Sequence, residues 1–145
     1  MKSGSRAGKQ LDLMALLHTA HTAQAEVESK LSALGLSLPK LLALKALCDA
    51  GESLPLGQLA ERLSCVKSNI TQLVDRLEAD GFVARKADPA DRRTRLAVLT
   101  SAGRKACTDG TRIQQETERD LLTTLTRDEG RQLAGLLEKL GRPRA

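Results

Sequence analysis

The spacing of apolar residues along this chain changes repeatedly, and each change predicts an element. From residue 10 to 34, Leu13, Leu16, Leu17, Ala20, Val27, Leu31 and Leu34 keep helical intervals, which predicts one long helix. So wide an apolar stripe on so long a helix is more than one small domain needs, and a partner subunit would explain it. Gly35 breaks the chain. Ser37 is placed as an N-cap and Pro39 falls in a first turn, where a missing N–H costs little. The helix that follows, Leu38 to Ala50, is apolar on most sides and is therefore predicted to be buried, with Cys48 as a core thiol. Gly51 to Pro55 reads as a turn, and Leu54 to Leu56 as a short strand. Leu59, Ala60 and Leu63 then give a packing face to a short helix over Gln58 to Leu63.

A second short helix is predicted from near Val66 to Asp80. Ile70, Leu73, Val74 and Leu77 fall at i, i+3, i+4 and i+7, one stripe that must face a core. Gly81 suits a left-handed C-terminal position. Phe82 to Ala87 (FVARKA) and Thr94 to Thr100 (TRLAVLT) read as strands around the charged tip DPADRR. A long helix opens at Thr100 or Ser101 and runs to about Leu125. Its Asp109-Gly110 predicts a bend or break, since a mid-helix glycine costs about 0.5–1 kcal/mol relative to alanine. Thr126 to Glu129 (TRDE) has the form of a capping box. The last helix carries Leu133, Leu136, Leu137 and Leu140 on one stripe and ends at Gly141 and Pro143.

The polar positions of Gln58 to Gly81 carry the candidate chemistry. Ser68, Gln72 and Asp75 lie opposite the apolar stripe, with Asn69 and Arg76 on one flank and Thr71 on the other. Two helices around a tight turn, the second short and rich in hydrogen-bonding groups, fit a DNA major groove. Phosphate contacts position such a protein and base contacts give it sequence preference. Lys67 and Thr71 are assigned mainly to phosphate; Ser68, Asn69, Gln72 and Arg76 are the base-reading candidates. Asn or Gln can pair bidentately with adenine, and Arg with guanine. Asp75 would repel phosphate; it either orients Arg76 or an arginine of the hairpin, or accepts from cytosine.

The run AERLSCVKSNITQLVDRLEADGFVARKADPADRRTRLAVLTSAG resembles the winged helix-turn-helix of MarR-type bacterial transcriptional regulators. GLSLPKLLALKAL, Gly35 to Leu47, is similar to that family's second helix. The most specific part is LVDRLEADGFV followed by DPADRR at the family's spacing. The resemblance implies a mainly α fold with a small β-hairpin wing. It places a winged helix-turn-helix at about 38–100 and a helical dimerisation region from both chain ends, about 10–34 and 101–141. These form a single domain over 10–145, after a disordered basic tail at 1–9. In the wing it implies that Asp91 holds the shape and Arg93 enters the minor groove, with Arg92 and Arg95 as phosphate or structural partners. Two departures stand out: the turn has Ser64 where the family usually has glycine, and the cap position has Val66 where it usually has Ser or Thr. A missing cap costs about 1 kcal/mol. The aim of Lys67, Ser68 and Asn69 is accordingly less fixed than that of Gln72 and Arg76.

Composition narrows the partners. The formal charge is +5 with a pI near 9.4, which permits nucleic acid, and between Arg85 and Arg95 five basic residues (Arg85, Lys86, Arg92, Arg93, Arg95) face two acidic ones. Aromatics make up 1% of the chain, which argues against stacking platforms for single strands or RNA. No apolar run reaches the roughly 18 residues of a membrane span, and MKSGSRAGK is not followed by the apolar segment of a signal peptide. No membrane partner and a cytoplasmic location are expected, with all three cysteines as reduced thiols.

The expected function is a homodimeric repressor of sequence-specific double-stranded DNA-binding type. Its two reading helices would enter successive major grooves of a pseudo-palindromic operator, about 10 bp apart. A small-molecule effector, or oxidation of a thiol, would shift their spacing and release the DNA. Cys65, in the turn beside the recognition helix, is either such a thiol or a small packing residue. The alternative is a winged-helix protein-interaction module that does not read DNA. No enzyme is read: there is no catalytic set and no phosphate-binding glycine loop. No cofactor and no metal are expected, since His18 and His21, three apart on the first helix, lack companions at metal spacing.

Overall fold

The computed structural model describes residues 10–63 and 69–143. The proposed disordered tail at 1–9 and the readings of Ser64, Cys65, Val66, Lys67 and Ser68 concern residues outside these. In chain order the elements are α1 (Leu13–Leu31), a 3₁₀ turn (Ser32–Leu34), α2 (Leu38–Asp49), β1 (Ser53–Pro55), α3 (Leu56–Arg62), α4 (Ile70–Ala79), β2 (Val83–Ala87), β3 (Arg95–Leu99), α5 (Ser101–Leu122) and α6 (Arg127–Gly141).

The fold is organised around α2. Leu41, Ala43, Leu44 and Leu47 are each fully buried there. Its start is fixed twice. The Ser37 hydroxyl accepts from the Lys40 N–H at 3.3 Å, and the Glu28 carboxylate of α1 accepts from the Leu38 N–H at 2.8 Å. Charge at a helix N-terminus is stabilising for the same reason that a cap is, because both answer unpaired N–H groups. Leu31, Leu59, Leu73, Val74, Leu77, Val83, Ala97 and Leu99 pack against α2 or its neighbours in one core.

Helix α1 is shorter than the apolar spacing predicts. It starts at Leu13 because the Asp12 carboxylate accepts from the Ala15 N–H at 2.6 Å. It ends at Leu31, where the chain tightens into the 3₁₀ turn before left-handed Gly35, φ 70°. Helix α3 begins two residues earlier than predicted, directly on Pro55, whose fixed φ suits a helix entry. The strands form a three-stranded antiparallel sheet in the order β1-β3-β2, with Leu54 and Arg85 both opposite Ala97. The early strand therefore sits at Ser53 to Pro55, on the far side of β3 from β2.

The predicted break in α5 does not occur: the helix is continuous past Gly110. Gly110 is buried, and a Cβ there would lie 2.7 Å from Leu41 Cδ1 and 2.9 Å from Leu36 Cδ1. Its role is close approach of α5 to α2, which outweighs the helix-propensity cost. The capping box is formed. The Thr126 hydroxyl accepts from the Glu129 N–H at 3.1 Å, and Glu129 accepts from the Thr126 N–H at 2.9 Å. Among the described residues none in α6 is buried, and Leu133, Leu136, Leu137 and Leu140 are all at least 39% exposed. No single helix among the described residues is long and apolar enough to cross a membrane.

Candidate nucleic-acid interface

Helix α4 shows its two faces as the spacing predicts. Leu73, Val74 and Leu77 are buried and Ile70 packs against the same core, while Asn69, Thr71, Gln72, Asp75 and Arg76 are exposed. The described α-helix begins at Ile70, so Asn69 stands at its N-cap; among the described residues its side chain makes no capping hydrogen bond. At the other end Phe82 N–H donates to Leu77 O at 2.9 Å and Gly81 N–H to Glu78 O at 3.0 Å, with Gly81 left-handed at φ 79°. This pair of bonds is the Schellman arrangement. It turns the chain directly into β2, which sets the angle between helix and hairpin.

Three ion pairs hold α4 and its C-terminal end in place. Lys40 of α2 meets Asp80 at 2.7 Å, with the lysine side chain only 18% exposed. Arg85 of β2 reaches Asp75 at 2.6 Å and Glu78 at 3.1 Å, and donates to Thr71 O at 3.3 Å. The hydrogen bond to Asp75 comes first among the causes that raise the Arg85 pKa above its ordinary value. Asp75 is thus partnered by an arginine of the hairpin, one of the two roles left open from sequence. Arg85 is correspondingly not a free cation: it counts with α4 rather than with the basic wing. Sequence reasoning offered Asp75 a hairpin arginine but did not single out Arg85 or give Glu78 a part, although Asp75 and Glu78 at i, i+3 put two carboxylates on one side of the helix.

The hairpin tip is tied by Asp91. Its carboxylate accepts from the Arg93 N–H at 3.0 Å and from the Thr94 hydroxyl at 3.1 Å, while Asp88 accepts from the Ala90 N–H at 2.9 Å. Aspartate turns of this kind fix a loop with local bonds alone. Arg92, Arg93 and Arg95 are exposed, and among the described residues none of them has an ion-pair partner. The structure thus brings together Asn69, Thr71, Gln72 and Arg76 on one helix face. It sets Arg92, Arg93 and Arg95 on the hairpin that leaves the end of the same helix. A shallow concavity of about 180 Å³ lies on the helix face, lined by Pro39, Asn69, Gln72, Leu73 and Arg76. Lys67, Ser68 and Cys65 lie outside the described residues.

Away from this face, His18 and His21 are exposed on α1, and no group of three metal-ligating side chains occurs among the described residues. A larger cavity of about 620 Å³ opens between α1, α5 and α6, with Val27, Leu121, Leu133 and Leu137 in its walls beside Gln24 and Gln114.

Comparison with known proteins agrees with this geometry. Residues 36–94, covering α2 through the hairpin tip, match the model of the MarR family. The HTH-type transcriptional repressor Rv2887 of Mycobacterium tuberculosis is 32% identical over 116 residues, spanning 80% of this chain and 83% of that protein. A probable transcriptional regulator from Pseudomonas aeruginosa superposes with a TM-score of 0.78 at 31% identity, covering 89% of this chain and 96% of that one. A mutant MarR from E. coli complexed with operator DNA superposes with a TM-score of 0.78 at 26% identity, covering 90% and 94%. The chain belongs to the MarR family of winged helix-turn-helix transcriptional regulators.

Proposed function

We propose that the protein is a homodimeric repressor that reads a pseudo-palindromic site in double-stranded DNA through α4 and the β2–β3 hairpin. The observation that carries this is the convergence of one polar helix face with three exposed arginines on the adjoining wing that have no ion-pair partner among the described residues. Asn69, Gln72 and Arg76 read base edges in the major groove, and Thr71, with Lys67 and Ser68 before it, completes the contact to phosphate and bases. Arg93 enters the minor groove, Asp91 holds the turn that presents it, and Arg92 and Arg95 neutralise phosphate. The likeness to a MarR bound to operator DNA supports the same placement.

The outward leucines support a dimer. Leu13 is 66% exposed, Leu136 57% and Leu140 59%. An amphipathic helix that buries nothing is marginal in water, so α6 requires a partner surface. A second copy supplies one, made of α1 and α6 with the distal part of α5. The cavity between α1, α5 and α6 is apolar with a few polar groups, which suits a small effector. An effector there would bear on the arms that set the distance between the two reading heads. Cytoplasmic action follows from a chromosomal target.

The test is fluorescence anisotropy on the DNA upstream of the protein's own gene, across a salt series, with wild type and Arg93→Ala. Wild type should bind with a log–log salt slope of about −5 to −9, the value for roughly 6–10 neutralised phosphates. Arg93→Ala should bind clearly more weakly. Binding no tighter than to a scrambled duplex would remove autoregulation; no binding to any duplex near physiological salt would favour a protein-interaction module.

A further inference from the structure

Cys48 of α2 and Cys107 of α5 are 59 positions apart in sequence, yet their sulfurs are 3.3 Å apart, the Cys48 thiol donating to the Cys107 sulfur. Both are free thiols. Cys107 is 6% exposed, whereas Cys48 is half-buried and open to solvent on one side. We propose that Cys48 and Cys107 are a dithiol that closes to an intrachain disulfide when a hydroperoxide accepts its two electrons, tying the α2 helix of the reading head to the α5 arm.

The geometry needs little change. A disulfide holds its sulfurs at about 2.05 Å, so closure brings the pair together by only a little more than ~1 Å. Two packed helices can absorb that through side-chain rotation, more readily at the half-exposed Cys48. The chemistry balances. The Cys48 thiolate attacks one oxygen of the hydroperoxide, the O–O bond breaks, and sulfenic acid forms while the leaving hydroxide or alkoxide takes up the proton the thiol released, giving water from hydrogen peroxide or an alcohol from an organic hydroperoxide. The Cys107 thiol attacks that sulfur, its proton leaves with the sulfenic hydroxyl as water, and the S–S bond forms. Cys48 attacks first because it is the one an oxidant can reach.

The surroundings make the step slow at neutral pH. Burial pushes the Cys48 thiol up to about 11, and the bond to Cys107 and the negative charges of Asp49 and Glu52 add to this. On α5, Arg104 is paired with Glu52 at 3.2 Å. Since the thiolate is the nucleophile, the closure rate should rise about tenfold per pH unit from 7 to 9. The pair responds to sustained rather than brief oxidant. It is independent of whether the wing contacts DNA.

The experiment treats full-length wild type and Cys65→Ser with hydrogen peroxide at pH 7 and 9, then alkylates free thiols and maps peptides. The expected product lacks two alkylatable thiols and is lighter by two hydrogen atoms. It contains one peptide pair joined through Cys48 and Cys107, and dithiothreitol reverses it. Diamide, a two-electron oxidant that transfers no oxygen, should give the same link. Constraining a loop of this length in the unfolded chain should raise Tm by about 5–10 °C. Cys48→Ala should leave Cys107 alkylatable and Tm unchanged by oxidant. Mapping in wild type keeps the test valid should Cys65→Ser misfold. Accumulation of Cys48 sulfinic acid with Cys107 still alkylatable, a link between chains, or two unreacted thiols after prolonged peroxide at pH 9 would each overturn the proposal.

Discussion

Leucine at helical spacing does two different jobs in this molecule. In the reading head, Leu41, Leu44, Leu47, Leu59 and Leu77 are all fully buried within one chain. At the chain ends, Leu13, Leu17, Leu136, Leu137 and Leu140 show the same periodicity and are between 48% and 66% exposed. The difference lies in what surrounds each stripe. α2 is enclosed by α1, α4, α5 and the sheet, whereas α6 meets no layer of its own chain that covers it. Periodicity reports that a face must be buried, not which molecule buries it. The head buries its stripes within one chain, and the proposed second copy would cover those of the ends.

The largest effect should come from spoiling the end stripe alone. Leu136→Asp with Leu140→Asp should yield monomers in sedimentation velocity while the head keeps a cooperative melt. Losing the linked second head should weaken operator binding by about 10²–10⁴-fold, the usual gain from two tethered sites. A variant that remained dimeric would place the subunit contact elsewhere and remove the contrast between the regions. The reciprocal change, Leu44→Ala, should cost roughly 2–5 kcal/mol because it empties a fully enclosed site. Thermal or urea unfolding measures it. A loss below ~1 kcal/mol would mean that the head core is not the stability centre.

A smaller effect separates two glycines of α5. A Cβ added at Gly103 would overlap the Phe82 carbonyl oxygen and lie 2.8 Å from Leu99 Cδ1, and the carbonyl is backbone that cannot yield. Gly103→Ala should destabilise by about 1–3 kcal/mol. At Gly110 the obstacles are the ends of Leu41 and Leu36 side chains, so Gly110→Ala should cost less, helped by the better helix propensity of alanine. Equal losses at both would show that side-chain ends are as rigid here as backbone.

This pair also shows where sequence reading stops. A glycine inside a polar helix reads locally as a weak point. Only the packed partner reveals that Gly110 serves close approach to Leu41 and that α5 runs on unbroken. The same holds for Cys48 and Cys107, far apart in sequence and in contact in space, and for Arg85, which counted as one of five wing cations until Asp75 and Glu78 were seen facing it. Features whose partners lie within a few residues were legible: the Ser37 cap, the TRDE capping box, left-handed Gly81, the two faces of α4 and the hairpin. Features that depend on a distant partner were not, because periodicity and capping encode local geometry and carry no information about which element comes to lie opposite.

The capping box offers the finest test of the contrast, because α6 gains nothing from its own chain's core. The Glu129 carboxylate accepts from the Thr126 N–H, and this bond first, then the Thr126 hydroxyl, holds the Glu129 pKa below its ordinary value. A carboxylate whose folded pKa is depressed contributes stability that is complete above its unfolded pKa and disappears as pH falls through the folded value. The contribution of this box should therefore be constant near neutrality and fade below about pH 4.5. If α6 is ordered by the partner subunit, the fading appears in the dimer dissociation constant and not in the melting of the head. Thr126→Ala should weaken the dimer several-fold at neutral pH, the effect of losing a cap of about 1 kcal/mol. Glu129→Gln should keep a constant gap from wild type between pH 6 and pH 5 and narrow it as the medium is acidified from about pH 4.5 to pH 3. Sedimentation equilibrium over that range measures the gap. A gap independent of pH would mean that the Glu129 charge is irrelevant to α6. A gap seen in head stability instead would mean that α6 belongs to the same cooperative unit as α2.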